Sequence, residues 1–87
     1  MKGEIKERVE HYIAKAKPLF EKLEVITKKP EDIDWEYLVK EFQDMTLRYW
    51  KDALYFYERG EYVNALAALE YAEGWLDAGK RIGIFKV

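Results

Sequence analysis

Glu7 and His11 stand four residues apart, a spacing that on a helix puts a carboxylate and an imidazole on one face. Such a pair can make an ion contact or supply half of a metal site. Catalytic zinc needs three protein ligands, and di-iron bundles need paired Glu-x-x-His motifs. His11 is the only histidine, so neither set can be assembled and His11 is expected to face solvent. Glu41, Asp44 and Asp52 interleave with Lys40, Arg48 and Lys51 at three- and four-residue spacing. That pattern predicts a solvated, salt-bridged helix face and not a carboxylate pair held apart for acid–base work. One heptad phase would bury Asp52, which would then need Arg48, Arg59 or a Tyr hydroxyl beside it. The chain has no Cys and no Ser, which excludes disulfides, thiolate metal sites and a serine triad. Gly60, Gly74, Gly79 and Gly83 are not spaced as a phosphate-binding loop. No catalytic, cofactor-binding or metal-binding residue is assigned, no cofactor is expected, and an enzyme is not expected.

The residues left with something to explain are aromatic. Three Trp, seven Tyr and four Phe make up 16% of the 87 residues. A bundle of this length has room in its core for about half of those rings, so the others must lie at the surface or in an interface. Tyr49, Trp50, Tyr55, Phe56, Tyr57 and Tyr62 flank Gly60. They fit core packing of a helical hairpin combined with a self-association surface, or a groove that receives a peptide or another protein's helix. Tyr49, Trp50, Tyr55, Tyr57, Tyr62 and, from the tail, Phe85 are the candidate interaction surface.

Helices must position these rings. Ile5, Val9, Tyr12, Ala16, Leu19, Leu23 and Ile26 alternate spacings of four and three, widened by Ile13 and Phe20, and predict a helix over about 4–26. Pro18 falls inside the pattern and removes a backbone hydrogen bond, so this helix is kinked there or split in two. Thr27 to Asp32 is a linker. Asp34 is placed to cap a second helix over 34–59, with Ile33 packing on Leu38 as a hydrophobic staple. Gly60 stops that helix. A third, over 61–80, carries a small stripe (Ala65, Ala68, Ala72, Gly79) beside a bulky one (Tyr62, Leu66, Leu69, Leu76, with Trp75 alongside). A helix apolar over that width is covered on more than one side. The tail 82–87 is too apolar to stand free and is expected to dock on its own bundle or on a partner. The expected fold is all-α: one domain over 1–87, an antiparallel up-down-up bundle of three helices.

Charged residues form 37% of the chain and nearly balance, for a formal net charge of −2. That balance disfavours an electrostatic nucleic-acid binder. Helix one and its linker hold Lys6, Arg8, Lys15, Lys17, Lys22, Lys28 and Lys29, but Glu4, Glu7, Glu10, Glu21 and Glu24 dilute them. A non-catalytic RNA- or nucleotide-binding bundle is the alternative to an interaction or scaffold module. No apolar run approaches the ~20 residues that span a bilayer, so no membrane partner is expected. The charged start, Met1 to Glu7, lacks a signal-peptide core. The expectation is a complete cytoplasmic protein whose partner is another protein, or itself as a homodimer. One Asn, one Gln and many Glu and Lys fit a thermophile's habits.

Tyr49, Ala53, Phe56, Gly60, Tyr62, Ala65, Leu69 and Ala72 together resemble one tetratricopeptide unit. The closing proline is missing, with Asp77 about where it would stand, and no second copy follows. Over nearly its whole length the chain resembles a family of short archaeal proteins, domain of unknown function 357. The resemblance rests on Tyr62-Val63-Asn64-Ala65-Leu66-Ala67-Ala68-Leu69-Glu70-Tyr71-Ala72 and Gly74-Trp75-Leu76-Asp77-Ala78-Gly79. It implies a compact helical bundle, an archaeal source and no assigned activity. Gly60-x-Tyr62-x-x-Ala65 is also similar to the hairpin of HEPN-type nucleotide-binding and ribonuclease bundles. Their catalytic Arg with a downstream His is absent, because His11 precedes every arginine except Arg8.

Overall fold

Asp34 opens the longest helix by accepting a hydrogen bond from the backbone N–H of Tyr37 at 3.1 Å. In the computed structural model, which describes residues 2–25 and 34–86, the order is α1 (Lys2–Glu21), β1 (Glu24–Val25), α2 (Trp35–Glu58), α3 (Tyr62–Arg81) and β2 (Phe85–Lys86). The staple residue Ile33 and the whole of the expected linker, 27–32, lie outside the described residues. The three helices pack together as an all-α bundle in which α2 and α3 share the most extensive contact.

Two glycines end helices in the same way. Gly60 has φ +76°; its N–H bonds the Tyr57 carbonyl at 3.0 Å and the Glu61 N–H bonds Phe56 at 2.9 Å. Gly83 has φ +84°, with Gly83 N–H on Lys80 at 3.2 Å and Ile84 N–H on Gly79 at 2.8 Å. Both are Schellman closures, which need a left-handed residue that glycine adopts without strain. The first folds α3 back on α2. The second aims Ile84, fully buried, at the core.

α1 departs from the sequence expectation. Pro18 lies inside one helix and does not split it; its carbonyl accepts from Lys22 N–H at 3.2 Å. The helix then ends at Glu21, well short of residue 26. The reason is β1, which pairs antiparallel with β2 in the register Glu24↔Lys86 and Val25↔Phe85. The tail thus docks on its own bundle, and the segment after α1 gives up helical bonds to hold it. The seam also rotates. Val9, Ala16 and Phe20 are buried, while Ile5, Tyr12 and Leu19 are exposed along the edge.

Phe20 stacks on Trp50 with centroids 4.8 Å apart and planes 11° from parallel. Around that pair the core gathers Ala16, Ala53, Ala68, Leu69, Ala72, Leu76, Ile84 and Phe85. The small stripe of α3 is buried at Ala65, Ala68, Ala72 and Gly79, as the sequence places it. The molecule extends 51 × 17 × 16 Å. Helices are about 10 Å thick with their side chains, so that cross-section holds one shared seam. Rings beyond the seam stay outside.

Candidate interaction surface

The six rings assigned to one surface do not form one. Trp50 and Phe85 are core residues, 5% and 3% exposed. Trp50 is taken by Phe20, and Phe85 by the strand pair and by Gly79. Tyr57 and Tyr62 lie 5.9 Å apart, and the Tyr57 hydroxyl donates to Glu10 Oε1 on α1 at 2.7 Å. That hydrogen bond to a carboxylate, with some burial and the Glu10 charge, holds the Tyr57 pKa above its ordinary value. Tyr55 is exposed, with the Arg59 guanidinium 5.3 Å from its ring centre. Tyr49 stacks on Tyr71 of α3 at 5.2 Å. Successive helix residues point about 100° apart, so neighbours in sequence around the hinge are sent to different sides.

A surface absent from the sequence assignment lies along the outer side of α2 and α3. Phe42, Glu70, Tyr71, Gly74, Trp75 and Ala78 line a groove of about 350 Å³. Phe42 meets Trp75 edge-on at 5.0 Å and 81°, which fixes the wall. Tyr71 is 62% exposed and extends the wall to Tyr49. Gly74 is the unusual member. It is exposed, lies mid-helix, and a Cβ there would meet nothing within 4 Å. Its φ is negative, since among the glycines only Gly60 and Gly83 are positive. A glycine in a helix interior costs about 1 kcal/mol relative to alanine, and nothing among the described residues compensates it. Tyr71, Gly74, Trp75 and Ala78 stand at helical spacing in the sequence, but the two inward stripes of α3 carry the stronger apolar signal.

A family model described as a protein of unknown function (DUF357) matches residues 11–85. The chain belongs to this family. No curated protein and no solved structure gives a match. The DUF357 match runs from the middle of α1 through Phe85 and takes in every residue of the groove. The family description assigns no activity.

Other depressions among the described residues mark this DUF357 chain. Tyr12, Lys15, Ala16, Leu19 and Glu73 line one of about 310 Å³ between α1 and α3. Burial raises the Glu73 pKa, the Glu70 charge adds to the rise, and Lys15 opposes both. Asp44, Leu47, Arg48, Lys51 and Asp52 line another, about 390 Å³, on the outer face of α2. The interleaved charges there were expected to close into salt bridges. Among the described residues the ion pairs are instead Lys6–Glu10, Arg59–Glu61 and Arg81–Asp77. Asp52 is half-buried and not locked in the core, and among the described residues it has no ion-pair partner. His11 is exposed beside Tyr12. Among the described residues no three His, Cys, Asp or Glu side chains converge as metal ligands, and no helix is long and apolar enough to cross a membrane.

Proposed function

We propose that this protein is a non-catalytic interaction module that binds protein through the groove between α2 and α3. The observation that carries it is the pairing of an aromatic wall, Phe42, Tyr71 and Trp75, with a glycine floor. Aromatic rings fixed at the centre of an apolar patch are the usual anchors of protein interfaces. The groove offers a single carboxylate, Glu70, so its chemistry suits a packed side chain better than a reacting one. A photo-crosslinking residue in place of Tyr71 tests this in the source cell. Discrete protein adducts are expected at that position, suppressed by Gly74→Leu, and none from a probe at Lys51. No adduct from position 71 would overturn the proposal.

One observation favours a second reading, binding of RNA or a nucleotide along α1. Arg8, Lys15 and Lys22 are exposed and recur every seven residues, which places them along one edge. Salt-dependent retention on nucleic acid, abolished when Lys15, Lys17 and Lys22 become Glu, would support it. Absence of retention at low salt would end it.

A further inference from the structure

We infer that the groove seats an arginine side chain of the partner protein, its guanidinium stacked on Tyr71 with Glu70 as counter-ion. This rests on the interaction reading above and names the chemistry that the partner must present. The first argument is the niche at Gly74. Glu70 and Tyr71 precede Gly74 by four and three residues, so both stand one turn away, on either flank of the space that Gly74 leaves open. A side chain laid over Gly74 therefore meets a carboxylate on one flank and a phenol ring on the other. Tyr49 covers one face of Tyr71 at 5.2 Å, and Tyr71 is 62% exposed, so its other face looks to solvent. Trp75, braced by Phe42 at 5.0 Å, and Ala78 complete the lining.

The second argument is charge. Glu70 is the one charged residue of the lining, and among the described residues no Lys, Arg or His joins it there. Glu70 is exposed and enters none of the ion pairs among the described residues. Its charge helps to push the Glu73 pKa up, as a carboxylate with no cation beside it does. Arg81, seven residues past Gly74, is tied to Asp77 at 2.9 Å. An anion would be repelled at this niche, and a neutral alkyl group would gain nothing from Glu70. Aromatic faces attract cations, and the planar guanidinium can stack on a ring while its N–H fork holds a carboxylate. The same hairpin already makes that arrangement once within the chain. Arg59 lies 5.3 Å from the Tyr55 ring centre while its Nε donates to Glu61 at 2.8 Å. Tyr71 and Glu70 offer the same two partners, a ring and a carboxylate, to a guanidinium from outside.

The test follows the Gly74 amide and Trp75 indole resonances of the purified full chain by NMR. Blocked arginine, N-acetylarginine methylamide, should move both and bind about threefold or more tighter than blocked norleucine, a side chain of similar reach without the charge. Glu70→Gln should remove most of that preference and leave the norleucine response in place. Tyr71→Leu should weaken arginine binding by a similar factor, and Gly74→Leu, which fills the niche, should weaken both ligands. Equal responses to arginine and norleucine, or an arginine response indifferent to Glu70→Gln and Tyr71→Leu, would overturn the inference. So would the absence of any shift at about 50 mM arginine probe. Choline moving the same resonances at about a tenth of that concentration would give the niche to a free amine and overturn it as well. If the probe at Tyr71 captures a protein while the arginine titration stays blank, the cation is wrong and the interaction module stands. No adduct from position 71 removes both.

Discussion

Gly79 lies so close to Phe85 that a Cβ at position 79 would collide with Cδ2 and Cε2 of the ring. The glycine is there for space and not for backbone freedom, since its φ is negative. At this point the returning tail packs on α3, so one missing methyl group lets the chain close on itself.

Gly79→Ala should therefore push the Phe85 ring out of its seat and cost about 1–3 kcal/mol in thermal or urea unfolding. Phe85→Leu added to it should recover part of the loss, because the smaller side chain can turn aside. Equal melting of Gly79→Ala and the parent would mean that the tail docks elsewhere.

Thr46 is fully buried and its hydroxyl has no hydrogen-bond partner among the described residues. A buried hydroxyl left unpaired carries a desolvation penalty, and valine has nearly the same shape. Thr46→Val should stabilise the protein by about 1 kcal/mol, read as a higher urea midpoint at unchanged slope. A loss of stability would show that the hydroxyl is satisfied in solution.

The two glycines on α3 and at the hinge should respond oppositely to alanine. At Gly60, with φ +76°, Gly60→Ala forces a side chain into left-handed backbone and should cost about 1 kcal/mol. At Gly74, where a Cβ meets open space, Gly74→Ala should raise the stability of the isolated fold by about as much. Circular-dichroism melts at low protein concentration separate the two. The same sign for both would mean that one of them has been given the wrong reason.

The sequence showed the hairpin because its signals are local. Asp34 caps within its own first turn, Gly60 reverses the chain within four residues, and the alanines of α3 recur on one helical face. It did not show where α1 ends, because that depends on a partner about sixty residues away. Glu24–Val25 leave the helix to pair with Phe85–Lys86, although Ile84 and Phe85 in an apolar tail were already a hint. The candidate surface escapes a reading of the sequence for a related reason. Nearness to Gly60 grouped Trp50 with Tyr55, whereas helical phase buries the first under Phe20 and leaves the second in solvent. The groove itself draws on two helices, since Phe42 and Trp75 meet only after the chain has folded back.

Glu73 gives the last prediction, and its sign follows from the direction of its pKa. Partial burial beside Tyr12 and Leu19, with Glu70 on the same helix, favours the protonated carboxyl in the folded state; Lys15 offsets this in part. A group whose folded pKa is raised contributes stability below its unfolded pKa and loses it as pH rises through the folded one. At neutral pH the ionised Glu73 is therefore a small liability. Glu73→Gln should melt slightly higher than the parent at pH 7, with the gap closing as pH falls below the carboxylate range of about 4. Added salt should leave most of the gap, because burial and not the Glu70 charge is the leading cause. A gap that persists in acid would assign the gain to packing by the amide and not to removal of the charge.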